Sequence, residues 1–302
     1  MVEVSVVIPT VDRAALLDRC LGGLTRPQGV DFEVVVVHDG DRGIRAVLDR
    51  WAPQLPLRDL QIAERGAVPK RNAGWRAARA AVIAFTDDDC EPAEGWLRAG
   101  LDALVPGVDL VQGRIAPHPA DADVTGVFAR TLDQPTATDT YPTANLLYRR
   151  AALERVGGFD DAFWGGGEDT DLAWRVLESG GCAAFAPDAL VHHAVRPADL
   201  AAHLRSLPRW ATLALVLRRH PQLRRLLHRR LFWKRSHPAA LLAVAGLVLA
   251  VADRRALVAV LPLAARRLRE AGAADGARLA VADCVEVLVV LTGSVRYRTV
   301  LL

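Results

Sequence analysis

The first ninety residues alternate short β-branched runs with helix-like segments, and this pattern restricts the fold more than any other feature of the chain. The apolar runs are nearly continuous, which is typical of strands that are buried on both faces. Amphipathic segments separate them, as in repeated strand–helix–strand units. The pattern predicts an α/β fold of Rossmann-like type, with a mostly parallel sheet between two layers of helices. The strand-like runs read EVSVVIPT, DFEVVVVHDG, LRDLQIAE and AVIAFT.

Three of the predicted strands end in acidic residues. In parallel sheets, ligands bind beyond the carboxyl ends of the strands, so these residues are candidates for a site. The residues at these strand ends, acidic and otherwise, are Pro9, Thr10 and Asp12 after the first strand, His38, Asp39 and Asp41 after the second, and Asp87, Asp88 and Asp89 after the fourth.

The triple Asp87-Asp88-Asp89 has two interpretations. One aspartate could cap a helix that begins in the following EPAEGWLRAGL. Three adjacent carboxylates repel one another, however, and hard oxygen ligands at a strand end suit Mg²⁺ or Mn²⁺ together with substrate phosphates. Both interpretations remain open from these residues alone.

A second acidic group follows three glycines, Gly165-Gly166-Gly167. Glu168, Asp169 and Asp171 fall in the predicted first turn of a helix, where the helix dipole favours negative charge. One interpretation is that these acids only stabilise the helix N-terminus. The alternative is that one of them is a general base, which the glycine turn presents to an incoming hydroxyl.

Six motifs in one order distinguish between these interpretations: SVVIPTVDR, VVVVHDGD, PKRNAGWRAA, IAFTDDDCEP, NLLYRRAALERVGGFD and GGGEDTDLAWRV. Over roughly residues 3–197 the chain resembles the inverting nucleotide-sugar transferases of glycosyltransferase family 2. The resemblance implies the GT-A fold, a nucleotide-sugar donor and a divalent cation, Mg²⁺ or Mn²⁺. A nucleotidyltransferase is the alternative enzyme, although no glycine-rich phosphate loop follows the first strand. A scaffold without turnover is a further alternative.

The resemblance also implies roles on the donor side. Asp89 resembles the metal-binding acid of the family, and Asp88, with Asp87 before it, would contact the metal or the donor. His193, after the last strand, is a further candidate metal ligand, with His192 as its alternative.

Nucleotide recognition is similarly implied for three residues, Pro9, Asp39 and Arg71. The family's second strand usually ends in two acids, and here His38 takes the place of the first. On the acceptor side, Asp169 is similar to the catalytic base, and Glu168 would orient the acceptor or the base.

The composition changes after about residue 200 to Leu, Ala, Val and Arg, which predicts a catalytic domain over 1–200 and a helical region over 201–302. Two apolar runs, 239–252 and 256–265, are interrupted by Asp253-Arg254-Arg255. A helix across both runs would place these charges in the middle of a bilayer. We expect a helical pair lying in the membrane interface, with arginines toward anionic headgroups. An ordinary soluble helical subdomain is the alternative.

The remaining features of the sequence restrict location and partners. The net charge of +3 gives no reason to expect nucleic-acid binding. The four cysteines form no C-x-x-C pair, which argues against a zinc or redox site. MVEVSVVIPT has no secretory character. With the resemblance to the family, the C-terminal helices lead us to expect a protein at the cytoplasmic face of the membrane, acting on lipid-linked or envelope glycans. The arginine-rich composition suggests a bacterial source.

Overall fold

The computed structural model describes residues 2–302, which divide into two compact units. The sheet unit comprises residues 2–123, Thr131–Trp164 and Glu168–Arg196. The helical unit comprises Val124–Arg130, Gly165–Gly167 and Pro197–Leu302.

The sheet unit contains one eight-stranded sheet with the strand order β3-β2-β1-β4-β7-β6-β8-β5. Strands β1 to β4 are parallel, as predicted. Strand β7 runs antiparallel to both β4 and β6, and β5 runs antiparallel to β8. The strands are β1 (Val4–Pro9), β2 (Phe32–His38), β3 (Leu57–Gln61), β4 (Val82–Phe85), β5 (Cys90–Pro92), β6 (Leu110–Pro117), β7 (Leu146–Arg149) and β8 (Ala183–His193).

Both faces of this sheet are covered. Because side chains alternate along a strand, Val34 and Val36 of β2 enter one apolar cluster, while Val35 and Val37 enter the other. This explains why the strands read as continuous apolar runs. The helices of the unit are α1 (Ala14–Leu24), α2 (Arg42–Trp51), α3 (Ala67–Ala77), α4 (Trp96–Asp102), α5 (Arg150–Val156) and α6 (Glu168–Glu178).

The segment 115–143, rich in Pro, Thr and Asp, has some local structure. Strand β6 continues through Pro117, Ile115 forms a β-bridge with Gln134, and Pro119–Asp121 is a 3₁₀ turn. Another 3₁₀ turn, Thr143–Asn145, leads directly into β7.

The helical unit contains α7 (Leu200–Ser206), α8 (Leu213–Arg219), α9 (His237–Leu249) and α10 (Leu261–Arg296). Helix α10 is broken at Gly272, whose φ of +74° is left-handed. Helix α9 packs on α10 through small and branched apolar residues, including Ala240, Ala243 and Val287. Within residues 2–302, every helix is either too short or too polar to cross a membrane.

Candidate active site

The carboxyl ends of β2, β1 and β4 lie side by side in the sheet and bring the predicted strand-end residues to one edge. Pro9 is the last residue of β1 and is in register with Val37 of β2. Asp39 follows β2, and Asp87 lies two residues beyond the end of β4.

The three aspartates form the connection between β4 and β5 and do not cap a helix. Residues 90–92 are strand, and α4 begins only at Trp96, with Gly95 as a cap that uses no side chain. The helix-capping interpretation of Asp87-Asp88-Asp89 is therefore wrong, because the segment that follows them pairs with β8.

Arg13, at the start of α1, neutralises two of these aspartates. Its Nε donates to Asp88 Oδ2 at 3.1 Å, and its Nη1 donates to Asp89 Oδ2 at 3.0 Å. The hydroxyl of Thr10 donates to Asp88 Oδ2 at 2.6 Å. Burial, with further repulsion from Asp89 and Asp87, raises the pKa of Asp88 to about 6 despite these two donors.

Asp89 lies beside a histidine and a cysteine that could join it in holding a metal ion. Strand pairing places Cys90 directly opposite His193, and one ligand atom from each of Asp89, Cys90 and His193 lies within 4.8 Å of the others. His193 Nε2 is 3.6 Å from Asp89 Oδ1, and Arg196 Nη2 is 3.4 Å from Asp89 Oδ2. A carboxylate oxygen and an imidazole nitrogen fit a divalent cation such as Mn²⁺.

His193 presents its Nε2 on the side of Asp89. The other ring nitrogen, Nδ1, lies 2.9 Å from the carbonyl oxygen of Ala194 and 3.4 Å from the backbone nitrogen of Leu132, and these contacts orient the ring. His192 points elsewhere, with its ring 5.8 Å from that of His118.

The second acidic group occupies the first turn of α6, as predicted. Its three members differ in their surroundings. Asp171 is fully buried and paired with Arg175 at 2.7 Å, which gives it a structural role. Asp169 Oδ1 accepts from the backbone nitrogen of Thr170 at 2.8 Å. Burial, followed by the charge of Glu168, raises the pKa of Asp169 to about 7.

Arg71 of α3 joins the two acidic groups. Its guanidinium is buried and donates to Asp87 Oδ1 at 2.7 Å and to Glu168 Oε1 at 2.9 Å. Burial alone would lower the pKa of Arg71, but the two carboxylates outweigh this effect and raise it. The acids after β4 and the acids that begin α6 therefore belong to one site.

A third polar group surrounds Asp39. The buried amine of Lys70 donates to the carbonyl oxygen of Thr10 at 2.8 Å and lies 3.5 Å from Asp39 Oδ2. The other carboxylate oxygen, Asp39 Oδ1, is buried and lacks a hydrogen-bond partner within residues 2–302. His38 takes the place of the first of the two acids that usually end this strand in the family. Its Nε2 is hydrogen-bonded to Asp59 Oδ1 at 2.5 Å.

Comparison with known proteins assigns this arrangement to a family. The sequence profile described as "Glycosyl transferase family 2" matches residues 5–157, and that of "Glycosyl transferase family group 2" matches residues 82–268. The chain belongs to glycosyltransferase family 2. The resemblance drawn from the six motifs is confirmed, and the protein is a glycosyltransferase.

Two curated glycosyltransferases illustrate the relationship. Glycosyltransferase AglE of Haloferax volcanii is 29% identical over 212 residues, covering 64% of this chain and 67% of the archaeal protein. The pre-mycofactocin glycosyltransferase of Mycobacterium tuberculosis is 33% identical over 207 residues. That match covers 63% of this chain but only 42% of the mycobacterial protein.

Solved glycosyltransferases share the fold. The mannosyltransferase PcManGT from Pyrobaculum calidifontis, solved with GDP-Man and Mn²⁺, gives a TM-score of 0.61 at 22% identity and covers 98% of this chain and 87% of its own. Staphylococcus aureus TarS 1–349, solved with UDP-GlcNAc, gives 0.54 at 16% identity, with 98% and 92% covered. The sheet with its flanking helices is thus of the GT-A type.

Sequence reasoning missed three residues of this candidate site: Arg13, Lys70 and Cys90. Arg13 and Lys70 lie inside two of the six motifs, SVVIPTVDR and PKRNAGWRAA. The motifs place them near the strand ends but do not indicate which residues they contact. Cys90 was discounted because its ligand partners are not spaced along the chain like those of a zinc motif. Its neighbour His193 arrives through strand pairing.

Proposed function

We propose that the protein is a metal-dependent inverting glycosyltransferase that moves a sugar from a nucleoside-diphosphate donor to a hydroxyl group of its acceptor. The observation that carries this proposal is the bridge made by Arg71. It holds Asp87, one of the strand-end aspartates, and Glu168, the neighbour of the high-pKa Asp169, at one site, where a donor and an acceptor would have to meet.

Asp169 is the proposed catalytic base. Its carboxylate would accept the proton of the acceptor hydroxyl while that oxygen forms a bond to the anomeric carbon of the donor. The bond from this carbon to the phosphate oxygen breaks, and its electron pair leaves with the nucleoside diphosphate. One displacement of this kind inverts the configuration. A pKa of about 7 suits a base that works near neutral pH.

Asp89 and His193 are the proposed ligands of Mg²⁺ or Mn²⁺. The oxygen and nitrogen donors at this position fit such an ion, and the structural relative PcManGT was solved with Mn²⁺. The bound ion would stabilise negative charge on the departing diphosphate. Arg13 compensates the charges of Asp88 and Asp89, so that the carboxylates remain close together.

Asp39 is the proposed recognition residue for the nucleobase, with Pro9 beside it. Its buried Oδ1 has no partner within the described residues, and a ring N–H of a base would satisfy it. Lys70 would hold the carboxylate in place by pairing with the other oxygen. Arg71, Asp87 and Asp88 would complete the donor side of the site.

The acceptor is proposed to be a lipid-linked or cell-envelope glycan, reached from the cytoplasmic face of the membrane. The support for this proposal is the helical unit, whose helix α9 has no polar side chain after His237 and exposes several large apolar ones.

Calorimetric titration with a panel of nucleoside diphosphates, with and without Mn²⁺, tests the donor site. We expect one nucleotide to bind in a Mn²⁺-dependent manner, and Asp89→Ala to abolish that dependence. Failure of every nucleotide to bind the folded protein would overturn the proposal and favour a scaffold without turnover.

The catalytic role requires a separate test once a donor and an acceptor are in hand. Asp169→Asn should lower kcat by about 10²- to 10⁴-fold, the usual contribution of a general base. Glu178→Gln, at the exposed end of the same helix, should not change kcat. NMR of the product should show the inverted anomer; retention of configuration would exclude the single displacement.

A further inference from the structure

The helical unit carries an exposed apolar surface between α9 and α10, which we call the apolar tip. It is formed by the last turn of α9, the turn 250–253 that follows it, the 3₁₀ helix Arg254–Val260 and the first residue of α10. Val251 at its centre is 93% exposed. The large side chains of the tip are Leu247, Val248, Leu249, Val251, Val258 and Leu261, each at least half exposed.

The apolar tip has a defined shape. Gly246 lets α9 and the 3₁₀ helix approach so closely that an added Cβ would lie 2.6 Å from the Cβ of Ala259. The side chain of Asp253 caps the 3₁₀ helix by accepting from Arg255 N at 2.9 Å. The apolar side chains are thus presented on a packed hairpin rather than on a loose loop. Exposed apolar surfaces of this kind mark sites of interaction.

A cationic cavity adjoins the apolar tip. Its volume is about 550 Å³, and it is lined by Arg235, Pro262, Arg266, Arg269 and Glu270. Pro262, which lines the cavity, directly follows Leu261 of the tip, so the cavity begins within one residue of the apolar surface along the chain. Three arginines against one glutamate leave the cavity with a positive charge.

The arginines are held at the cavity by backbone contacts. Arg266 Nη1 donates to the carbonyl oxygen of Arg235 at 3.0 Å, and Arg269 Nε donates to that of Ala265 at 3.2 Å. Glu270 pairs with Arg266 at 2.9 Å and also with Arg267. The guanidinium of Arg235 has no partner among residues 2–302, which leaves its donors available for an anion.

We propose that the apolar tip inserts into the interface of an anionic bilayer and that the arginine cavity binds the phosphate of a lipid headgroup. Planar guanidinium groups match phosphate oxygens, and an apolar surface beside them matches the start of the acyl chains. Arg254 and Arg255, both exposed at the tip, add to the attraction toward an anionic surface. This deepens the proposed location at a membrane face, but its test requires no glycosyl transfer and so can fail independently.

Co-sedimentation of the full chain with vesicles tests the proposal. We expect binding to vesicles of phosphatidylglycerol mixed with phosphatidylcholine, and at least about tenfold weaker binding to phosphatidylcholine alone. Binding to both vesicle types with equal affinity, or to neither, would overturn it. Competition by 10 mM inorganic phosphate that removes all vesicle binding would also overturn it, because the site would then hold a free anion rather than a lipid surface.

Two pairs of variants separate the two parts of the surface. Val248→Asp with Val251→Asp, and Arg235→Gln with Arg269→Gln, should each weaken binding to the anionic vesicles at least about tenfold. The matched controls lie in the sheet unit: Val105→Asp, which is 52% exposed, and Arg42→Gln with Arg65→Gln, both exposed. Equal loss in the controls would contradict the proposal.

Light scattering in vesicle-free buffer tests the other occupant, a second copy of this chain. We expect a concentration-independent mass that is the same for wild type and for the Val248→Asp, Val251→Asp variant. A dimer that this variant converts to monomer would assign the apolar tip to self-association and overturn the lipid proposal.

Discussion

Arg71 donates to Glu168 at 2.9 Å although 97 positions of the chain separate the two residues. The same guanidinium holds Asp87, so one cation balances two acidic segments that would otherwise repel each other. The arrangement makes the position of α6 dependent on the end of β4.

Replacement of Arg71 should therefore reduce stability strongly. Arg71→Met leaves the partly buried Asp87 and Glu168 without their counter-charge, and loss of one partner from a buried ion pair costs up to about 3–5 kcal/mol. Arg71→Lys should retain part of the stability but not the double bridge. Urea unfolding measures both, and Arg76→Met on the exposed side of the same helix should change the free energy of unfolding by less than about 1 kcal/mol.

The pKa of Asp169 predicts how activity depends on pH. Only the ionised carboxylate can accept a proton, so kcat/KM should rise with pH and level off above about 7. Glu168→Gln removes a negative charge that raises the pKa of Asp169. The rising part of the kcat/KM profile should therefore move to lower pH. Glu178→Gln should leave the limb in place; a profile that is flat between about pH 5.5 and 8.5 would contradict Asp169 as the base.

The same raised pKa means that ionised Asp169 lowers the free energy of unfolding at neutral and alkaline pH. The folded state holds the proton up to about pH 7, whereas an unfolded aspartate releases it near 4, so wild-type stability falls as the pH rises between these values. Asp169→Asn has no such loss. At pH 8 the free energy of unfolding of Asp169→Asn should be about 1–2 kcal/mol higher than that of wild type. This range allows for the partial exposure of the side chain. The difference should shrink at pH 5; denaturant titrations at both values measure it.

The two adjacent histidines should differ in metal binding. His193→Ala should weaken Mn²⁺ binding by at least the roughly 10- to 100-fold that follows loss of groups orienting metal ligands. His192→Ala should leave it unchanged because that ring lies against His118. Electron paramagnetic resonance of free Mn²⁺ gives both affinities. Equal affinities for the two variants would remove His193 from the ligand set.

The strands that could be predicted are those with a strong local signal. The runs EVSVVIPT, DFEVVVVHDG and AVIAFT contain β1, β2 and β4. Strand β5 could not be predicted. Its three residues, Cys90–Pro92, include a glutamate and a proline, and they are strand only because β8 supplies the partner.

The acidic residues of the site were predicted, while most of their cationic partners were not. Strand ends and a glycine turn mark the acidic groups as candidates, and the resemblance to the family then singles out Asp39, Asp89 and Asp169. Arg13 lies 75 positions from Asp88, and nothing local to either residue indicates the pairing. Contacts of this kind follow from sheet order, which a single sequence does not specify.

The pairing of Cys90 with His193 also has a consequence for how the protein is made. The ribosome delivers Asp89 about a hundred residues before His193. At roughly 5–20 residues per second, this interval lasts on the order of 5–20 seconds. During it the nascent chain presents Asp89 and Cys90 but not His193, so the full ligand set for a cation assembles only when the last strand joins the sheet. A cation that binds the complete set of ligands would then stabilise the pairing of β8 with β5.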